Sequence, residues 1–162
     1  MKIRRSCIYL LFLCLFVYWG ASPLLAKERG ELSRGQTIYV PAYSHIYSGN
    51  REKPFLLTAT LSIRNIDAKH PIQVTKVGYY ATKGKLLKDC LDDPVILQPL
   101  ESIRYVISQN DSSGGSGANF LVRWQSKKPV NPPIVETVMI GTQMQQGVSF
   151  TSRGQVIRES SK

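Results

Sequence analysis

The sequence predicts an all-β protein, a two-layered β-sandwich of about seven to eight strands that follows an N-terminal signal peptide. The segment from Phe55 to Asn65 alternates strictly between apolar and polar side chains, which is the period of a half-buried strand. Further short segments rich in β-branched and aromatic residues are separated by turn-forming residues, without a convincing long helix between them. Because consecutive strands with one apolar face must bury that face against a second layer, these segments favour a sandwich over an open sheet.

The first 26 residues have the order of a secretory signal peptide. A basic start precedes an uninterrupted apolar run from Cys7 to Trp19, and small residues and a proline then lead to Ala26. We predict cleavage between Ala26 and Lys27, with export to the periplasm or the cell exterior. A retained membrane anchor is the alternative, because residues 7–26 carry no charge and are about long enough to span a bilayer.

The residues after this leader suffice for one domain with its own core. We predict a flexible arm at 27–36, a single β-sandwich domain at 37–157 and a short tail at 158–162. Cys90 is the only cysteine outside the leader, so no internal disulfide can form and the core alone must hold the fold. We expect this thiol to be unreactive.

The chain is strongly basic, with a formal net charge of +10 at pH 7, and the leader contributes only three of its cations. A basic exported protein suits anionic partners such as lipid headgroups or acidic glycans, whereas export argues against nucleic acid. Membrane insertion is expected only through an uncleaved leader. Outside the leader, Lys127 and Lys128 are the only adjacent cations, so no compact basic patch is visible and a solvated surface is the simpler interpretation.

The first three strands follow from local patterns. Thr37 to Ile46 is rich in β-branched and aromatic residues, and Pro41 within it marks an edge strand or a bulge. Phe55 to Asn65 is the clearest strand of the chain, and the residues that share its apolar face are Phe55, Leu57, Ala59, Leu61 and Ile63. Ile72 to Tyr80 resumes the alternation, with a local slip near Lys76.

A turn at residues 82–85 leads into a short strand, and two more short strands flank Pro99. Further along, Phe120, Val122 and Trp124 share one face of a strand. We expect Trp124 to fill the space between the two sheets.

The last third of the chain is less clear. Residues 127–133 read as a proline-rich break. The segment from Ile134 to Gln146 fits a short helix capped at Asn131, but its Val, Thr and Ile content favours strands. Residues 147–150 then form the return arm of a hairpin.

Asn110 to Ala118 is a turn-rich loop, with three glycines in four positions directly before a strand. The residues around Ser116 lack the second glycine and the following helix of a nucleophile elbow. They also lack the Gly-Lys-Ser/Thr pattern of a phosphate-binding loop. We therefore expect a turn with positive φ at one or more glycines, which brings backbone close to a neighbouring strand or, alternatively, to a small ligand.

A candidate ligand site combines this loop with the polar and aromatic segment that ends at Arg51. Tyr43, His45 and Arg51 offer ring faces beside a cation, which suits recognition of a sugar or an organic anion. Gly115 and Asn119 would complete the site from the glycine-rich loop. The simpler interpretation is an edge strand whose polar side chains point to water.

Metal binding and catalysis are not predicted, and no cofactor is expected. Two histidines and one thiol outside the leader give no zinc-binding spacing. Asp89, Asp92 and Asp93 form an acidic turn, but the glycine-supported calcium loop of an EF-hand is missing. The glutamates are dispersed along the sequence, and no pattern pairs two of them for acid–base chemistry.

Four segments together resemble a known family: YVPAYSHIYSG, PFLLTATLSIRN, GGSGANFLVRW and PPIVETVMIGTQMQQGVSFTSRG. From Thr37 to Ile157 the chain resembles the small exported bacterial proteins catalogued as domain of unknown function 3124. The resemblance implies a single exported bacterial domain without an assigned activity. The first positions to inspect for function are His45, Arg51, Asn65, Asn119, Trp124 and Arg153.

More loosely, the segments LSIRNID, HPIQVTKVGYY and GKLL are similar to immunoglobulin-like accessory domains, which implies an immunoglobulin-like sandwich and says little about function. We expect an exported, non-enzymatic protein that binds a partner protein or a cell-envelope component, through its loops or by adding a partner strand to an exposed edge. The alternative is a small-ligand module for a sugar or an organic anion at the candidate site.

Overall fold

The computed structural model describes residues 31–47, 53–143 and 145–159, and these residues form twelve β-strands and no helix. The all-β prediction is confirmed. The strands outnumber the predicted seven to eight because four of them have only two to four residues. In chain order they are β1 (Ser33–Pro41), β2 (His45–Ile46), β3 (Phe55–Leu56), β4 (Thr58–Arg64), β5 (Ile72–Tyr80), β6 (Leu86–Asp89), β7 (Val95–Leu97), β8 (Ser102–Ile107), β9 (Asn119–Val130), β10 (Ile134–Gln143), β11 (Gln146–Arg153) and β12 (Gln155–Glu159).

Two antiparallel sheets make up the sandwich. The six-stranded sheet has the order β12-β1-β9-β5-β6, with β7 paired to β5, and the four-stranded sheet has the order β11-β10-β4-β8. Strands β2 and β3 form a separate short hairpin-like pair. The chain crosses between the two sheets several times, the last time at Gly154, between β11 and β12. None of the described segments is a helix long and apolar enough to cross a membrane.

The core consists of the inward-facing residues of both sheets. Leu57, Ala59, Leu61 and Ile63 are fully buried, which confirms the face predicted from the alternation before Asn65. Trp124 is 2% exposed, and its Nε1 donates a hydrogen bond of 3.3 Å to Oε1 of the buried Gln36. Each large aliphatic side chain buried in this way stabilises the fold by about 1.5–3 kcal/mol relative to exposure.

The slip predicted in β5 is a β-bulge. The pairing with β9 shifts between Val74 and Lys76, and both Val74 and Val77 are fully buried although they are three positions apart. An extra residue in one strand resets the alternation of its side chains. The bulge therefore turns Lys76 to the outer face of the six-stranded sheet, opposite Arg123.

Strand β1 differs from its prediction at both ends. It begins at Ser33, so residues 33–36 belong to the sheet and not to a flexible arm, because Gln36 pairs with Trp124 and is buried. It is also an interior strand, between β12 and β9. Pro41 marks neither an edge strand nor a bulge but the last residue of β1, beyond the final pair with β12.

Two further boundaries differ in the second half of the chain. Strand β9 continues through residues 127–130, where Val130 pairs with Ser33, so the predicted break starts only after Val130. Strand β12 extends to Glu159 and includes the first residues of the predicted tail. The preference for strands over a helix from Ile134 onward is confirmed, since β10 and β11 pair as a hairpin.

Candidate functional site

The glycine-rich loop, residues 110–118, is docked onto Ser44. Gly115 has a φ of 82°, in the left-handed region that favours glycine. Its N–H donates to Ser44 Oγ at 2.8 Å, and its carbonyl accepts from the Ser44 backbone N–H at 3.1 Å. Ser44 is fully buried. The protein itself therefore satisfies the backbone groups of Gly115 that a ligand would need.

Thr82 holds the same loop from the turn after β5. Its Oγ1 donates to the Gly114 carbonyl at 2.9 Å and accepts from the Gly117 N–H at 3.0 Å. A Cβ on Gly114 would collide with the Tyr79 hydroxyl and lie 2.8 Å from Cβ of Ala118. The close approach expected of this loop is thus made to neighbouring parts of the fold.

The structure brings together some of the residues of the predicted ligand site and separates others. Tyr43 packs edge-to-face on Phe150, with ring centroids 5.6 Å apart, and is partly buried. His45 Nε2 lies 3.1 Å from the Tyr47 hydroxyl. Gly115 joins this cluster through Ser44, whereas Asn119 begins β9 and pairs with Pro41. Arg51 lies outside the described residues.

Asn65, singled out by the family resemblance, has a structural role at the end of β4. Its Nδ2 donates to the carbonyls of His70, Leu97 and Gln98 at 3.0, 3.2 and 2.9 Å. Its Oδ1 accepts from the Asp67 N–H at 3.0 Å. One buried amide thereby joins the β4–β5 turn to the β7–β8 turn.

Asp67 extends this network to a third turn. Its carboxylate accepts from the backbone N–H groups of Lys69 at 2.9 Å, His70 at 2.9 Å and Asn131 at 3.1 Å. These bonds, those from Lys69 and Asn131 foremost, lower the pKa of Asp67 to about 2, against the opposing effect of burial. Since protein donors occupy both oxygens, the carboxylate serves the fold rather than a ligand.

Cys90 is half-buried directly after β6, and burial raises the pKa of its thiol. Burial also raises the pKa of Tyr79 to about 12 and raises that of Tyr105. None of the three is thereby prepared as a nucleophile at neutral pH. Among the described residues, no group of three His, Cys, Asp or Glu side chains lies close enough to hold a metal ion.

The outer face of the four-stranded sheet carries a row of three charged side chains and one serine that runs across all four strands. The row is Arg104 on β8, Ser62 on β4, Glu136 on β10 and Arg153 on β11, each directly opposite the next. Arg64 lies two positions beyond Ser62 on β4, on the same face. We call these five residues the arginine face.

A solvent-open depression of about 510 Å³ covers one side of the arginine face. Hydroxyls and guanidinium groups line it together with three apolar residues, and the full lining is Thr60, Ser62, Arg64, Ser102, Ile103, Arg104, Val106 and Val138. Arg64 Nε donates to Ser62 Oγ at 3.1 Å and lies 3.8 Å from a Glu136 oxygen. With three guanidinium groups and one carboxylate, the face keeps a positive charge and offers donors to an anionic ligand.

Sequence reasoning missed this site, apart from Arg153. The alternation in β4 does place Ser62 and Arg64 on its outward face, which was an available signal. Their approach to Arg104 and Arg153, however, depends on strand pairings between distant segments, which periodicity does not specify.

Comparisons with known proteins give a family and one remote structural similarity. A family model described as a protein of unknown function (DUF3124) matches residues 35–157. No curated protein matches the chain. A solved structure, the crystal structure of Thermotoga maritima 1070, is similar at 14% sequence identity and a TM-score of 0.44, over 79% of this chain and 97% of that chain. The residues matched by the family model run from β1 to β12 and so include both sheets.

Proposed function

The chain belongs to the DUF3124 family, and from this premise we propose that it is an exported, non-enzymatic protein that binds an acidic glycan of the cell envelope through its arginine face. The leader-like first 26 residues support export. Without the three cations of the leader, the formal net charge of +10 falls to 10 − 3 = +7, which still favours an anionic ligand.

The row from Arg104 to Arg153 is the observation that carries this proposal. Neighbouring strands lie about 4.8 Å apart, so the row spans roughly 14 Å across the four-stranded sheet. That length suits an extended polymer with repeated acidic groups better than a single small anion. Arg64 lies beside Glu136, which leaves the two outer guanidinium groups of the row to the ligand.

The composition of the face supports the proposal of binding rather than cleavage. Glycoside hydrolysis generally uses a pair of carboxylic acids on either side of the bond that breaks. Glu136 is the single carboxylate of the arginine face. The hydroxyls of Thr60 and Ser102 beside the guanidinium groups suit hydrogen bonds to sugar hydroxyls.

The test is a titration of the purified protein with soluble polygalacturonate by calorimetry. We expect binding that weakens as NaCl is raised from about 0.05 M to about 0.5 M, because salt screens exposed charges. The double variant Arg104→Ala, Arg153→Ala should bind at least about tenfold more weakly, a loss of about 1.4 kcal/mol. Arg34→Ala removes an exposed arginine from β1, away from this face, and serves as the matched control.

Vesicles of phosphatidylglycerol form the second arm of the experiment. A protein that binds these vesicles but not the polymer would have a lipid ligand, and the proposal would be wrong. Equal binding of polygalacturonate by the parent protein and the double variant would also reject the arginine face as the site.

A further inference from the structure

Two tyrosines lie on the outer face of the six-stranded sheet, on the opposite side of the sandwich from the arginine face. Tyr39 on β1 is directly opposite Leu121 on β9, which is directly opposite Gly78 on β5. Tyr39 is 37% exposed, whereas its neighbours along β1 face the core. Its ring therefore stands on the solvent side of the sheet.

The second ring, that of Tyr80, covers Gly78. A Cβ on Gly78 would lie 2.8 Å from Cε2 of Tyr80 and 3.2 Å from Cδ1 of Leu86, so only glycine leaves room for the ring at this position. The rings of Tyr39 and Tyr80 thus flank Leu121 in one row. We call Tyr39, Gly78, Tyr80 and Leu121 the tyrosine platform.

The distance between the two tyrosines suits a polymer of sugar rings. Strands β1 and β5 are two strand spacings apart, with β9 between them, so the two tyrosines are separated by roughly 10 Å. Aromatic rings offer large apolar faces on which the C–H faces of sugar rings can pack. Asn119, two positions from Leu121 on β9, adds an amide donor and acceptor beside the platform.

A row of cations lies next to the platform on the same face. Arg158 on β12, Thr37 on β1, Arg123 on β9 and Lys76 on β5 are successive partners across the sheet. Like charges directly opposite each other are destabilising, and Arg123 and Lys76 are such a pair. Neither forms an ion pair with any described acidic residue. An anionic group bound between them would relieve this repulsion.

Asp89 is an acidic residue that faces this region, and it lies at the β6 end, opposite Gly78. Its carboxylate disfavours an anion at that end of the platform. The acidic groups of a ligand are therefore directed toward Arg123 and Lys76, while ring faces remain for the tyrosines.

We propose that the tyrosine platform and the adjacent cations form a second binding surface for an acidic glycan, with sugar rings packed on Tyr39 and Tyr80 and acidic groups at Arg123 and Lys76. This inference takes its ligand class from the proposed function but rests on a different face of the protein. One molecule would then hold glycan on both sides of the sandwich.

The experiment compares polygalacturonate with its methyl-esterified form, which keeps the sugar rings and loses the charges. Tyr39→Ala should weaken binding of both polymers by about tenfold, equivalent to about 1.4 kcal/mol. Tyr39→Phe should bind as the parent protein does, because the ring is kept. Arg123→Gln should weaken binding of the acidic form only. Tyr47→Ala removes a tyrosine that is 51% exposed elsewhere and is the matched control.

Several results would overturn the inference. The platform would be rejected if Tyr39→Ala bound the polymers as tightly as the parent protein does. It would also be rejected if Tyr47→Ala lost as much affinity as Tyr39→Ala, or if the parent protein bound neither polymer. A concentration-dependent dimer that Tyr39→Ala abolishes in sedimentation velocity would assign the face to self-association instead. If Tyr39→Ala weakens binding of polygalacturonate and the Arg104→Ala, Arg153→Ala variant does not, the platform is supported and the arginine face is rejected as a site. If only the Arg104→Ala, Arg153→Ala variant weakens binding, the arginine face is supported and the platform is rejected.

Discussion

Ser44 and Gly115 are 71 residues apart in the sequence, yet the Ser44 hydroxyl accepts a hydrogen bond of 2.8 Å from the Gly115 N–H. The two backbones are joined as well, since the Ser44 N–H donates to the Gly115 carbonyl at 3.1 Å. This contact ties the segment after β1 to the loop before β9. The glycine-rich loop is therefore a structural connection in which the fold satisfies the backbone groups of Gly115.

Ser44→Ala should lower the free energy of unfolding by about 0.5–1.5 kcal/mol, because the Gly115 N–H would lose its bond to the Ser44 hydroxyl and keep only the longer bond of 3.2 Å to the Ser112 carbonyl. Urea denaturation followed by tryptophan fluorescence measures the change. Ser149→Ala, on an exposed position of β11, is the matched control and should be close to neutral. Equal stability of the two variants would show that the contact contributes nothing.

Gly114→Ala should also be destabilising, by about 1–3 kcal/mol, because the added methyl group has no space beside the Tyr79 hydroxyl and Ala118. Tyr79 is 1% exposed, so its ring is enclosed by the fold. Gly147→Ala meets no atom within 4 Å and should leave the thermal midpoint nearly unchanged or raise it slightly. A stable Gly114→Ala protein would contradict the tight packing of the loop.

Asp67 should make the free energy of unfolding decrease at low pH. Its pKa falls from about 3.8 to about 2 on folding, so its contribution of about 2 kcal/mol is complete above about pH 5 and is lost as the pH falls through 2. The difference in unfolding free energy between the parent protein and Asp67→Asn should therefore shrink between pH 5 and pH 2. Asp92→Asn, in the exposed loop after β6, should follow the parent protein throughout.

Cys90 should react slowly in the folded protein, since burial raises the pKa of its thiol and limits access to it. In a Cys7→Ser, Cys14→Ser chain, alkylation by iodoacetamide at pH 8 should be at least about tenfold slower in native buffer than in guanidinium chloride. Mass spectrometry of the quenched samples gives both rates. Equal rates would mean that the thiol is open to solvent and available to partners.

Part of the core of this protein could be predicted from the alternation of apolar and polar residues along the sequence. Leu57, Ala59, Leu61 and Ile63 were assigned to one face by period alone, and all four are fully buried. The same holds for Trp124, and even the bulge near Lys76 left a visible break in the pattern. These features depend on neighbours in the chain, so a single sequence contains them.

The candidate sites depend on contacts between segments that are far apart in the sequence. Tyr43, His45 and Gly115 are predicted to meet around a ligand, but only His45 and Gly115 meet, at Ser44, which sequence reasoning did not single out. Tyr43 packs on Phe150 instead. The segment around Pro41 was expected at an edge and lies in the sheet interior, because β12 returns from the end of the chain to pair with β1.

By itself, the sequence determined the all-β class, the positions of the longer strands without all their ends, the face that β4 buries and the membership of the family, because apolar alternation and turn residues act over a few neighbouring positions. Only the tertiary structure decided which outward side chains become neighbours. Arg104 meets Ser62, and Tyr39 meets Leu121, through pairings between strands far apart in the chain. The physical reason is that backbone hydrogen bonds between strands are the same for every residue, so the order and register of the strands come from packing of the whole core.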